Sequence, residues 1–361
     1  METRSPAGSS NSMAALQLAG VAWIVLNQFR DRLGLHAGEA SGLVAKGYIG
    51  AGLFFVALGF FLAEVWPRDS RACGRALLRA VLFVQPLSLA VLAVMAAGIA
   101  AGGALLGGLD HQASFRWFDL APSLFLLQGW GTLSTDCWNF PSWLVSAWFF
   151  ALLVFPAMRW AAMKMKRTLS ILAPLALFFA LFAFEARAGR LFTDLTAKAG
   201  ILQTLPAGLL GAALWRLNRE APLSRLTGAL LASASLAWIL AAASLRLSDL
   251  LIWPAFAPLV MGAAAAGVPG RSWMSRAAIT LQLVYLPADI VWFHAWGRIL
   301  PNPSPALAWV LWWGVFPFVA LFAFVAYNLF QKPVERAVLG LCGRKSGDLF
   351  HGRMSGVAAD V

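Results

Sequence analysis

Apolar residues along this chain come in long runs, separated by short stretches in which Arg, Lys, Pro and Gly collect. A helix needs roughly 17–25 mostly apolar residues to cross a bilayer. Ten runs are of about that kind: residues 13–29, 48–66, 76–98, 143–158, 169–188, 200–217, 227–245, 250–267, 277–293 and 307–330. The third stays apolar beyond Gly98 as far as Leu109, so its helix is expected to run on. Residues 115–130 are amphipathic and interrupted by Pro122, which predicts an interfacial or re-entrant piece rather than an eleventh crossing. The polar start, residues 1–12, leads straight into the first run without a small-x-small cleavage site. That run is therefore expected to remain as a transmembrane helix.

Charge supplies an independent check. With the N-terminus on the cytoplasmic side, the inner segments gather most of the 28 basic residues, among them Arg71, Arg75, Arg79, Arg159, Lys164, Lys166, Arg167, Arg216, Arg219, Arg225 and Arg271. This is the bias expected of cytoplasmic loops, and it fits an even number of crossings with both ends inside. The expected fold is all-α: about ten transmembrane helices in one membrane domain over residues 13–335, then a cytoplasmic tail over 336–361.

Composition narrows the function classes. Hydrophobic residues make up 60% of the chain and charged residues 12%, too little charge to cover a soluble surface of this size. The net charge of +12 is accounted for by inner loops beside anionic lipid, so no nucleic-acid partner is expected. Seventeen Trp suit interfacial belts and buried packing alike. The three Cys and four His lie apart, with no ligand spacing, and no metal site or bound cofactor is expected.

Three features stand out as candidate chemistry. One intramembrane acid, Asp289, shares a helix face with Gln282 and Tyr285 at i, i+3 and i+7, with Pro287 predicting a kink and His294 about a turn further on. Such an acid is costly in a bilayer and is read either as a ligand or catalytic group or as a residue wetted at the outer interface. Arg71, Arg75 and Arg79 repeat every four residues as a basic helical face, fit either for anionic lipid or for the phosphates of a ligand. The segment 108–140, with Asp110, His111, Arg116, Asp119 and Asp136, is long for a plain connection; it is either functional or a solvated loop.

Four separated stretches carry a resemblance. They are Leu-Gln-Leu-Ala-Gly-Val-Ala-Trp-Ile-Val-Leu-Asn-Gln-Phe at 16–29, Gly-Ala-Gly-Leu-Phe-Phe-Val-Ala-Leu-Gly-Phe-Phe-Leu at 50–62, Asn-Phe-Pro-Ser-Trp-Leu-Val-Ser-Ala-Trp at 139–148, and the pair 275–285 with 327–333. In order and spacing they resemble the membrane-bound acyltransferase 3 family, over roughly residues 13–340. The resemblance implies ten core helices, acyl-CoA as co-substrate, and transfer of an acyl group, most simply acetyl, to a hydroxyl on an envelope glycan or lipid. It also implies a bacterial inner membrane as the location, and Arg75 and Arg79 as contacts for the acyl-CoA phosphates.

The family's functional positions are substituted in this chain. Gln17 stands for an arginine, Gln28 for a histidine, Leu58 for a serine, Trp148 for a glutamate, Tyr285 for a histidine and Gln331 for a glutamate. Glutamine does not titrate, so Gln28 cannot serve as a general base. Gln17 and Gln28 are eleven residues apart, close to three turns and about 16 Å of rise, and so share a face. They serve either as substrate contacts or as interhelical hydrogen-bonding groups. With no catalytic group retained at these positions, Asp289 is the candidate catalytic residue and Gln28, Gln282 and Tyr285 the candidate substrate contacts. The resemblance implies an acyltransferase; the residues favour a degenerate member that binds a partner, lipid or glycan. A transporter of envelope precursors is a third reading, without a broken-helix pair or inverted repeat behind it.

Overall fold

In the computed structural model the described residues are 7–30, 42–67, 69–106, 116–132, 138–196, 199–300 and 302–341. Among them there is no β-strand. The ten expected helices form as α1 (Ala7–Gln28), α2 (Gly50–Val65), α3 (Ser70–Leu106), α4 (Trp143–Lys164), α5 (Arg167–Arg187), α6 (Thr204–Glu220), α7 (Arg225–Ser244), α8 (Phe256–Ala266), α9 (Ser272–Ile299) and α10 (Pro305–Val325). Nine helical segments among the described residues are long and apolar enough to cross a membrane. The chain is therefore a multi-pass, all-α membrane protein.

The segment missing from the nine is the one expected at 200–217. It begins as a 3-10 turn, Gly200–Gln203, and its α-helical part, α6, has 17 residues ending in Asn218, Arg219 and Glu220. Its position explains its shortness. α6 lies inside the bundle against α2, α4, α5 and α8, so it needs no full-length apolar coat for lipid.

α2 is the other central helix, buried from Gly50 to Phe60 along α1 and α6. Small residues permit this approach. A Cβ on Gly59 would stand 2.8 Å from the Cα of Gly208 in α6, and one on Gly20 of α1 would stand 2.6 Å from the carbonyl of Gly50. Without aqueous solvent to drive helices together, such close backbone contact and its dispersion energy hold the crossing.

Several helices differ in their bounds from the expected spans, two of them in ways that matter for the core. α3 has 37 residues: it starts at Ser70, ahead of the expected 76, and runs on beyond Gly98 to Leu106, as the apolar stretch there predicts. α10 runs into a π-helical turn, Ala326–Gln331, before the amphipathic helix Lys332–Leu341. The wider turn rotates Gln331 into the core, where it is 1% exposed.

The described part of the long segment 108–140 is folded, with some residues buried and others, such as Phe118 and Phe125, exposed. A 3-10 turn, Trp117–Asp119, continues into a short helix, Leu120–Leu124. Ser123, Leu126 and Gln128 are buried, and the Gly129 N–H donates to Ser146 Oγ of α4 at 3.1 Å while that hydroxyl donates to the Leu126 carbonyl. Asp110, His111 and Asp136 lie outside the described residues.

Candidate functional site

The expected stripe on α9 is present and is buried. Gln282, Tyr285 and Asp289 are 0%, 2% and 2% exposed. Asp289 is buried among protein side chains, and α9 continues ten residues beyond it to Ile299, where the sequence predicts an end near 293. Tyr285 meets the ring of Phe29 edge-on, with centroids 6.1 Å apart, and Trp312 of α10 donates its indole N–H to the Phe29 carbonyl at 2.6 Å. The end of α1, the stripe and α10 are thus tied together. His294 has no described side chain.

Pro287 frees one backbone acceptor on this helix. Residue 287 would normally donate to the carbonyl of residue 283, and a proline has no N–H to give. Asn139 takes that place, its Nδ2 donating to the Leu283 carbonyl at 2.9 Å. The turn before α4 presents the amide: Asn139 is left-handed, φ 46°, a conformation that Asn tolerates, and Ser142 Oγ donates to its carbonyl at 2.7 Å.

Several amide atoms in this core have no protein partner. Both the Nε2 and the Oε1 of Gln282, the Nε2 of Gln17 and the Oδ1 of Asn139 are buried without one. Leaving such a group unsatisfied costs about 1–3 kcal/mol, so these atoms call for a hydrogen-bonding guest, either water or a hydroxyl-bearing ligand.

The remaining positions singled out by the sequence separate into packing and interface roles. Gln17 is buried on α1, which lies along α9, whereas Gln28 is half-buried at the last position of α1. Its neighbour Asn27, which the sequence did not single out, donates to the carbonyls of Val44 and Ala45, both at 2.9 Å. Trp148 is half-buried on α4 and Leu58 is buried on α2. Gln331 bridges α9 and α3, accepting from Thr280 Oγ1 at 3.3 Å and donating to the Phe83 carbonyl. Arg75 is exposed and Arg79 half-buried on the first turns of α3.

Two further clusters escaped the sequence reading. At the α2 start, Asp249 is buried and accepts from Lys46 Nζ at 2.6 Å, from Tyr48 Oη at 3.2 and 3.1 Å, and from Thr193 Oγ1. This ion pair ties the α2 start to the turn after α5 and to the turn before α8. Its partners are 203 positions apart, and no local pattern announces it. At the opposite face a cleft of about 690 Å³ opens between the ends of α2, α4 and α6 and the start of α3. Trp66, Cys73, Arg159, Trp160, Trp215, Arg216 and Arg219 are in its wall; Arg75 and Arg79 are not. The available signal was the presence of Trp and Arg at the ends of successive apolar runs.

Among the described residues no three His, Cys, Asp or Glu converge as metal ligands. No protein-family model, curated protein or solved structure compared with the chain matches it.

Proposed function

We propose that the chain is an acyltransferase-3-like protein of a bacterial inner membrane that crosses it ten times, has both ends in the cytoplasm, and binds a hydroxyl-rich ligand without transferring an acyl group. The observation that carries this reading is the chemistry of the core stripe. Acyl transfer from a thioester needs a base to take the acceptor's proton as the C–S bond breaks, the ester C–O bond forms and the thiol leaves. Gln17, Gln28, Leu58, Trp148 and Gln331 offer no such group at the positions where the resemblance places one. Gln282 offers a fully buried amide whose donor and acceptor both lack a protein partner. Hydroxyl groups of an envelope glycan or a lipid headgroup match that pair, since each hydroxyl both gives and accepts a hydrogen bond.

A second reading has one specific observation in its favour. Asp289 is an ionisable side chain, 2% exposed, about one turn beyond Tyr285 on the same stripe. In an active acyltransferase it would be the base, with the acyl-CoA phosphates held by Arg75 and Arg79. Incubating the purified protein with acyl-labelled acyl-CoA separates the two readings. The binding reading expects no thioester cleavage in the wild type. Cleavage that disappears in Asp289→Asn establishes the transferase instead.

A further inference from the structure

We infer that the cleft at the α1 N-terminal face is a binding site for an anionic phospholipid, its phosphate held between Arg159 and Arg219. The cleft is at the level where the helices end: Trp66 caps α2, Arg159 and Trp160 are in the last turns of α4, and Trp215, Arg216 and Arg219 are at the end of α6. Ser9 of α1 hydrogen-bonds Glu64 of α2 at 2.8 Å, which places the α1 start on the same face. Trp and Arg at helix ends are the side chains that settle at the headgroup level of a bilayer.

The charges in the cleft are unequal in number. Arg216 donates from Nε to Glu220 at 2.6 Å and from Nη1 to the carbonyls of Ala162, Met163 and Met165, so this pair closes on itself. Arg159 and Arg219 lie over the same Trp215 ring, 5.6 and 5.2 Å from its centroid. Arg159 also donates to the Trp66 carbonyl at 2.9 Å, which fixes its guanidinium at the wall. Glu64 lies within electrostatic range of Arg219 but is not in the wall. Two guanidinium groups over one indole, with Glu220 the only carboxylate among the described residues of the wall, are side chains whose donors suit a phosphate.

An independent observation points the same way. The indole N–H of Trp66 is buried without a protein acceptor, on a side chain 7% exposed that lines the cleft. A phosphate oxygen would satisfy it. The other wall tells what the phosphate belongs to. On α4, Pro156 and Trp160 continue from Arg159 along one helix face, both exposed, Trp160 to 65%. A charged end joined to an exposed apolar track is the outline of an amphiphile lying at the membrane surface. The inference does not rest on the acyl chemistry of the protein.

The test uses the full-length protein in detergent and native mass spectrometry to count bound lipid. Phosphatidylglycerol is offered against phosphatidylcholine, and inorganic phosphate and an acyl-CoA are offered as competitors. The wild type is expected to retain phosphatidylglycerol over phosphatidylcholine, and Arg159→Gln/Arg219→Gln to bind it about tenfold more weakly, as for loss of charge-assisted hydrogen bonds. Arg336→Gln, an exposed charge outside the cleft, should leave the affinity unchanged. Equal retention of the two lipids by the wild type would overturn the proposal without any variant. So would displacement of phosphatidylglycerol by acyl-CoA or inorganic phosphate, which would assign the cleft to a soluble anion. An unchanged affinity in the double variant would overturn it too.

Discussion

Replacing Asn139 by Ala tests the link between the turn before α4 and the proline of α9. The side chain supplies the hydrogen bond that Pro287 withholds from the Leu283 carbonyl, at 2.9 Å. Losing it leaves a buried acceptor, and interhelical hydrogen bonds in membranes contribute about 0.6–1.7 kcal/mol. The substitution also puts alanine at a left-handed φ of 46°, which adds about 1–2 kcal/mol. The expected destabilisation is therefore about 2–4 kcal/mol, made of two separable parts. Pro287→Ala separates them: it restores the N–H of residue 287, so the Leu283 carbonyl regains its helical partner. In that background Asn139→Ala should cost only the conformational part, about 1–2 kcal/mol. The assay is a double-mutant cycle on reversible unfolding of the detergent-solubilised chain. Strictly additive costs would refute the reasoning, because the amide and the proline would then act independently.

Three other outcomes are expected. Lys46→Met should destabilise the fold by about 3–5 kcal/mol in the same unfolding assay, because Asp249 stays buried with only hydroxyl partners; Lys46→Met with Asp249→Leu should recover most of that loss. Gly59→Ala places a Cβ 2.8 Å from Gly208 Cα, and rigid backbone cannot yield cheaply, so unfolding should show a loss of at least about 1–3 kcal/mol. Gln282→Leu should leave stability unchanged or raise it by about 1 kcal/mol, since it removes a buried amide without a protein partner. The same variant should lose binding of a hydroxyl-rich ligand, measured by calorimetry with envelope glycan or lipid.

Much of this architecture is written in one-dimensional pattern, because a bilayer demands long apolar runs and a helix places i, i+3 and i+7 on one side. The runs at 13–29 and 48–66 and the stripe of Gln282, Tyr285 and Asp289 are legible for that reason. What periodicity omits is the neighbour. Asn139 and Leu283 are 144 positions apart, Lys46 and Asp249 are 203 apart, and Gln331 and Phe83 are 248 apart. Each joins a side chain to a group that has no local signature, such as a carbonyl exposed near a proline. The burial of Asp289 was hidden too, since hydropathy falls beyond Phe293 while the helix itself continues to Ile299. Arg71, Arg75 and Arg79 were conspicuous as a repeat, yet the cleft is built from cations on α4 and α6 that show no repeat at all.

The core stripe itself admits one direct measurement. The purified protein is reconstituted in vesicles containing inner-membrane lipid and envelope glycan, and release of free thiol from acyl-CoA is followed alongside label entering either acceptor. A binding protein with Gln17, Gln28, Trp148 and Gln331 at these positions gives thiol release no faster than protein-free vesicles. Faster release in the wild type, lost in Asp289→Asn, would contradict the account and make the buried stripe of α9 an active site.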